Sequence, residues 1–425
     1  MMYEKGTLVD VRRLKCHIIV DALKDMGYEV SSGNSLAPLI WWDGYIPPEE
    51  FCTVKPNQRI NKIPQMDVLC YKSTLFQALN QMQTLFPQYY NFFPETFLLP
   101  HQFSDFQKEH THLTGKLGRG LTWIWKPRAG CCGNGIKLIQ NPYAIVNDTS
   151  PAIIQRYISP FLLDGYKFDF RVYILISTLE PFTMYVYREG LARFCTKKYH
   201  PPTKDNINDK FEHITNTAIN VENTEATNNF TRLLSDVLND VRAADPKASD
   251  VWDRIKRVAL LTMLSLYPQI VSQIPAAKKD PKSPHCQITP MKKYFHICGI
   301  DILLDENANP IVLELNDRPS LKVTFACEKG LKHDLICDAM KIVTVDGSPL
   351  EVENGPENGW EKVFPGECGN PLTPIFRAVQ QRSLNVFGPK QRITTVHQAA
   401  QTIIYPKPVA DKNKVRFLAI HPTHQ

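Results

Sequence analysis

The 425-residue sequence lacks any apolar run long enough to cross a bilayer. Its longest such run, Val258 to Val271, is too short and is interrupted by Pro268. A signal-like start is missing as well, because Met1 to Arg13 is charged from the outset and has no apolar h-region. The 11 cysteines follow no repeating spacing, and no CxxC or Cys/His set with zinc spacing occurs. The pair Cys131-Cys132 therefore reads as small filler rather than as metal ligands. These absences exclude a membrane span and a secreted disulfide scaffold, and a reducing cytosol is the expected setting. Internal repeats, low-complexity blocks and a Ser-His-Asp or Cys-His pattern are missing too.

What is present has globular proportions: 43% hydrophobic and 22% charged residues, far too apolar for intrinsic disorder. The length suggests two to three structural units. The net charge of +6 is unevenly placed, since Pro371 to Gln425 carries +7 and the remainder sums to −1. A near-neutral body offers no basic stripe interleaved with aromatics, which argues against nucleic acid. A basic tail suits an acidic partner, or is simply solvated.

Periodicity and punctuation give a coarse map. A short helix over Asp21–Met26 ends at Gly27, and a second is expected over Leu75–Phe86. Strands are expected at Thr122–Lys126, Ile136–Ile139, Ala152–Gln155, Phe170–Ser177, Thr183–Arg188 and Leu191–Thr196. The polar stretches Thr203–Asp209 and Glu222–Asn229 read as surface loops. Val251–Leu266 reads as the clearest helix, with Ser249 or Asp250 as N-cap and Pro268 at its end. Ala276–Lys293 is a basic, proline-broken linker. Tyr294–Leu304 and Ile311–Asn316 form a hairpin across a polar turn, and after about Val345 the chain is irregular.

Four constellations carry chemistry. In Trp123 to Ile136 a strand ends in Lys126, a loop holds Gly130, Gly133 and Gly135, and a second strand resumes. Glycines let backbone N–H groups line a concavity for phosphate oxygens, and a lysine adds charge, although this is not a Walker A loop. An ordinary glycine hairpin is the alternative. On the later hairpin, Asp301 faces Glu314 and Asn316 from the partner strand. Three hard oxygen donors suit Mg²⁺, which completes its shell with water and phosphate; a salt-bridged acid pair is the alternative. Lys167, Asp169 and Arg171 alternate with Phe168 and Phe170, so the charged three share one face. Just upstream, Ile154 to Ile158 are placed to present backbone groups to an adenine edge. Finally, Tyr187 to Phe194 reads as a strand pair about a turn at Gly190, carrying Arg188 and Arg193.

Taken in order, these pieces resemble the ATP-grasp ligases, and within them the tubulin–tyrosine ligase-like family. The resemblance rests on K-P-x-x-G-x-x-G-x-G from Lys126, Q-R-Y-I at Gln155, K-F-D-F-R at Lys167 and R-E-G-L-A-R-F at Arg188. It also rests on H-I-T-N-T at His213 and G-I-D…L-E-L-N ending at Asn316. It covers roughly Leu36 to Met340, and Arg193 to Tyr199 is closest to the glutamate-adding branch. It implies an α/β (α+β) ATP-grasp fold whose N-terminal, central and C-terminal subdomains sandwich ATP. The expected division is 1–75, 76–165 with the glycine-rich lid, 166–345 with the metal-binding strands, and an irregular extension 346–425.

Carried over residue by residue, the resemblance assigns Lys126 and Lys167 to ATP phosphates, with Lys72 nearby. Gly130, Gly133 and Gly135 form the phosphate lid, while Gln155, Arg156, Tyr157 and Ile158 frame adenine. Asp169 and Asn216 border the nucleotide, and His213 lies at the same edge. Asp301, Glu314 and Asn316 hold Mg²⁺. Arg171 and Arg193, with Lys167, serve the acyl phosphate and the incoming amino acid. The implied reaction phosphorylates a glutamate carboxylate on a tubulin tail and lets the amine of free glutamate displace the phosphate. Glycine or tyrosine addition, or a microtubule-binding pseudo-ligase, are the alternatives. The implied core is monomeric, and its setting is the cytoskeleton, including cilium, flagellum or basal body. Two positions depart from the family pattern. Asn134 stands where a cation is usual, and Asp317-Arg318 precedes Pro319 where a small or polar pair is usual, so Arg318 is expected to tune amino-acid choice.

Overall fold

The computed structural model describes residues 2–117, 120–128, 130, 133–226, 229–274, 290–349, 358–364, 372 and 375–379. The pair Cys131-Cys132, the linker up to residue 289 and nearly all of the basic tail lie outside the described residues. The described residues build three sheets; the first and third share two apolar layers, and the second packs a smaller one of its own. Among the described residues no helix is long and apolar enough to cross a membrane.

The first sheet is parallel, in the order Glu29–Ser31, Leu8–Arg12, Leu39–Trp42, Arg59–Ile60. Its crossover helix, Ile18–Asp25, buries Ile18, Ile19, Ala22 and Leu23. The helix starts earlier than expected because the apolar residues before Asp21 supply its buried face. Gly27, at φ 84°, ends the turn without the steric penalty a side chain would bring. Arg59 ties this sheet to the rest of the molecule. Its guanidinium donates to the carbonyls of Lys292, Thr344 and Ser177 at 3.0, 2.7 and 2.6 Å. Burial lowers its pKa to about 10, against the weaker opposing pull of Tyr3 and the Asp346 carboxylate.

The second sheet is antiparallel, in the order Thr96–Leu99, Ala152–Arg156, Trp123–Pro127, Lys137–Ile139. The helix Phe103–Leu117 covers it through Phe106, which meets Trp123 edge-on at 5.1 Å.

The third sheet is the largest. Its main path runs Thr231–Leu233, Phe182–Phe194, Tyr166–Leu179, His296–Leu304, Pro310–Asn316. Phe182–Phe194 is one continuous strand, so Gly190 is not the centre of a turn. It sits beside an irregularity in the pairing with Tyr166–Leu179, where a Cβ would fall 2.3 Å from the Arg171 carbonyl oxygen. The glycine therefore permits close strand approach at a bulge.

Two further expectations give way to tertiary packing. The helix Val251–Ser272 continues through Pro268, and the Asp250 side chain makes no cap bond but pairs with Arg254. An internal proline costs about 3 kcal/mol. Burial of Tyr267, Ile270 and Val271 beyond the break offsets this, at about 1.5–3 kcal/mol for each large apolar side chain. The region after Val345 is not wholly irregular either. Trp360–Phe364 pairs with Phe182–Phe194, and Trp360 packs edge-on against Tyr187 at 4.9 Å.

Candidate active site

A cleft opens between the second and third sheets. Of the residues singled out from sequence, it brings together Lys126, Gln155, Arg156, Tyr157, Ile158, Lys167, Asp169, Arg193, His213, Asn216, Asp301 and Glu314. Lys72, Gly130, Gly133, Gly135, Arg171 and Asn316 do not line it directly.

Two groups in the wall are unsatisfied. Gln155 is fully buried, and its Nε2 donates to Thr96 Oγ1 at 2.9 Å. That hydroxyl spends its proton on the Pro94 carbonyl, so the amide orientation is fixed and Gln155 Oε1 is left without a partner. Lys126 ends a strand with its ammonium in no hydrogen bond or ion pair among the described residues. Burial, reinforced by the ammonium groups of Lys72 and Lys167, lowers its pKa to about 7. Lys167 is better held, donating to Tyr157 Oη at 2.9 Å and to the His213 carbonyl at 2.7 Å. Burial brings its pKa down to about 8.

Beside the lysines lies an arginine–carboxylate cluster on three adjacent strands. Strand pairing sets Asp169 opposite Arg193 and Arg171 opposite Asp301. Arg193 grips Asp169 through two bonds of 2.7 Å and reaches Asp301 Oδ2 with a third of 2.7 Å. Arg171 takes Asp301 from the other side at 2.5 and 3.0 Å, and Thr215 Oγ1 donates to Asp169 at 2.6 Å. Burial opposes ionisation of Asp301, but the two guanidinium groups outweigh it and hold its carboxyl well below the usual range.

Glu314 stands across the strand pair from Asp301, and Asn316 Nδ2 donates to Glu314 Oε1 at 3.2 Å. Among the described residues no three His, Cys, Asp or Glu side chains cluster with metal spacing. A divalent cation would thus need the Asn316 amide oxygen beside the two carboxylates. The donors fit such a cation: a carboxylate has about four lone-pair sites. The three guanidinium bonds to Asp301 leave one on Oδ1. Hard oxygen donors with few carboxylates match Mg²⁺.

Lys72 links the Pro310–Asn316 strand to the glycine loop, with Nζ 3.3 Å from Glu314 Oε2 and donating to the Gly130 carbonyl at 3.0 Å. Gly133 and Gly135 take φ of 77° and 74°. A Cβ at Gly133 would lie 2.5 Å from Ile219 and 3.0 Å from Asn216 Oδ1, so the loop sits directly over the Asn216 turn. Asn134 between them is exposed.

Some participants left no signal in the sequence. Thr215 and Thr96 act only as orienting partners. His296 is buried, accepts from the Ile63 N–H at Nδ1 (3.1 Å) and donates from Nε2 to the Asp317 carbonyl (2.6 Å). It joins the first sheet to the end of the Glu314–Asn316 strand. Burial, with the Lys62 ammonium beside it, lowers its pKa to about 3. Between pH 6.5 and 3 the unfolded chain therefore takes up a proton that the folded chain refuses. Stability from this group is present above pH 6.5 and lost as pH falls. Denaturant titrations from pH 7 to 4 should show that loss. His296→Gln, which keeps an acceptor and a donor but does not titrate, should show a shallower one.

The model of the tubulin-tyrosine ligase family matches residues 52–350. The chain is 32% identical over 391 residues to tubulin polyglutamylase TTLL13 of Mus musculus, covering 88% of this chain and 46% of that one. It is 34% identical over 319 residues to the probable beta-tubulin polyglutamylase of Tetrahymena thermophila, covering 72% and 25%. With tubulin polyglutamylase ttll-11 of Caenorhabditis elegans it shares 35% over 280 residues, covering 63% and 38%. The chain thus spans less than half the length of these relatives. A match over most of its own length, together with the α/β sheets and the cleft between them, establishes that this chain belongs to the tubulin-tyrosine ligase family.

Proposed function

We propose that this chain is an ATP-dependent ligase that joins free glutamate to glutamate side chains of acidic tubulin tails. The observation that carries the reading is the pairing, in one cleft, of an unsatisfied buried acceptor at Gln155 Oε1 with an unpartnered buried cation at Lys126. An adenine amino group fits the first and phosphate oxygens fit the second. ATP would supply the phosphoryl group that activates the acceptor carboxylate. Gly130, Gly133 and Gly135 are placed as the lid, and Arg156, Tyr157, Ile158 and Asn216 as the nucleotide border. Asp301, Glu314 and Asn316 are the residues to hold Mg²⁺. Arg193 stands ready to stabilise an oxyanion, with Arg171 holding Asp301 in place behind it. The glutamate-adding branch is favoured by the names of the relatives.

The three sheets correspond, in this reading, to the N-terminal, central and C-terminal subdomains of an ATP-grasp fold. The basic 371–425 segment is proposed to contact the acidic tubulin surface, and the place of action is the cytoskeleton. Incubating the full chain with microtubules, Mg-ATP and labelled glutamate, glycine and tyrosine in parallel tests the reaction. Glutamate incorporation is expected. Incorporation of only glycine or tyrosine would overturn the choice of amino acid, and nucleotide binding with no incorporation would favour a pseudo-ligase. Glu314→Gln should leave the fold intact and lower incorporation to background, because one metal-facing charge is lost without a change of shape. Full turnover in that variant would sink the metal assignment.

A further inference from the structure

A shallow depression lies beyond the end of the Pro310–Asn316 strand and is lined by Gly44, Tyr45, Lys62, Asp67, His296 and Asp317. Lys62 is only 8% exposed, and among the described residues its ammonium makes no hydrogen bond or ion pair. A buried cation without a partner is unfavourable unless an anion joins it. The position is nevertheless rigidly built. On one side Asn61 exchanges bonds with the backbone of Trp42 at 2.6 and 3.2 Å. On the other, the Ile63 N–H is held by His296, which also grips the Asp317 carbonyl.

The surrounding charges favour an incoming carboxylate. Asp317 is already paired with Arg318 at 2.8 Å, and Asp43, whose field also reaches Lys62, accepts from the Lys15 and Cys16 N–H groups, which leaves half-exposed Asp67 as the remaining acid. Arg318 also lies 5.8 Å from the Tyr45 ring, and the Lys15 ammonium would stand 3.4 Å from a Cβ at Gly44. Three cations therefore face three carboxylates, two of them already engaged, Asp317 by Arg318 and Asp43 by backbone N–H groups. The rim is a surface rather than an enclosed pocket, with Tyr45 exposed to pack against a chain. The depression lies at the carboxyl edge of a parallel sheet, where open α/β folds present ligand crevices. A free amino acid would be enclosed in the main cleft, whereas an extended acidic peptide needs such a path outside it.

We propose that Lys62 is a specificity-determining residue that binds a carboxylate of the acidic acceptor peptide, flanking the glutamate to be modified. This rests on the ligase reading above. Asp317 directly follows Asn316, and an extended peptide advances about 3.3–3.6 Å per residue. An acceptor running out of the cleft along this strand end therefore passes the Lys62 ammonium.

The test uses the full chain and a fluorescent peptide of consecutive glutamates. Peptide Kd is measured by anisotropy, beside separate KM values for peptide, glutamate and ATP. Lys62→Met should weaken peptide binding and raise peptide KM about tenfold, as expected for a lost charged hydrogen bond. ATP Kd and glutamate KM should stay within about twofold, and the melting temperature should not fall, because an unpaired buried charge is removed. Lys62→Arg should retain most of the affinity. Arg318→Gln, an exposed change that does not threaten folding, should weaken the peptide about threefold, the scale of an exposed pair. An unchanged peptide Kd in Lys62→Met, or a rise confined to glutamate KM, overturns the proposal. Should the wild type join no amino acid to the peptide, the ligase reading falls, while the comparison of peptide Kd values still decides the role of Lys62.

Discussion

Arg193→Gln should destabilise the fold by about 3–5 kcal/mol, the range seen when one partner of a buried ion pair is removed. Arg193 neutralises two carboxylates at once, holding Asp169 through two bonds and Asp301 through one. Asp301 would keep Arg171, but among the described residues Asp169 would keep the Thr215 hydroxyl alone as a hydrogen-bond partner. Asp169 is only 2% exposed at the wall of the cleft, so water reaches the stranded charge poorly. Denaturant midpoints read the loss. Adding Asp169→Asn removes the unpaired charge and should recover a measurable part of it, whereas two independent sites would simply add. Recovery of stability without recovery of ligation would separate the structural task of Arg193 from its proposed catalytic one. Equal stability of wild type and Arg193→Gln would mean that the cluster is hydrated and that its short bonds contribute little.

What the sequence makes legible here is what lies within one strand or one hairpin. Alternation alone places Lys167, Asp169 and Arg171 on one face, and the polar turn after Leu304 sets Glu314 opposite Asp301. The family is legible through motif order, since no single motif is specific. The rest needs neighbours that periodicity does not name. That Asp301 is shared by Arg171 and Arg193 depends on Tyr166–Leu179 lying between Phe182–Phe194 and His296–Leu304. Lys62 looks like any basic residue in a turn until His296, 233 positions away from Ile63, fixes the segment beside it. Gly190 reads as a turn because glycine beside charged residues usually is one. Only the long pairing with Tyr166–Leu179 shows that it relieves a backbone clash instead. Pro268 reads as a stop because local propensity ignores the apolar side chains that bury themselves beyond it.

Lys126→Met should weaken ATP binding about 10- to 100-fold, the equivalent of roughly 1.5–3 kcal/mol for a hydrogen bond to a charged group. The more discriminating expectation concerns pH. In the free protein burial and the ammonium groups of Lys72 and Lys167 hold the Lys126 pKa to about 7. A bound polyphosphate would replace lost hydration with an opposite charge and raise that pKa, so binding takes up a proton. A group whose pKa rises on binding favours the complex below its free-state value and withdraws that support as pH climbs above it. Wild-type affinity should therefore fall between pH 7 and 9, above the range in which phosphate monoesters titrate. In Lys126→Met the fall should begin later, near the pKa of about 8 that burial gives Lys167. Calorimetry in two buffers of different ionisation enthalpy would count the proton directly, and the count should drop in the variant. Because methionine matches the aliphatic length of lysine, the change tests charge rather than packing. An affinity profile indifferent to the substitution would remove Lys126 from the nucleotide site, whatever the family pattern suggests.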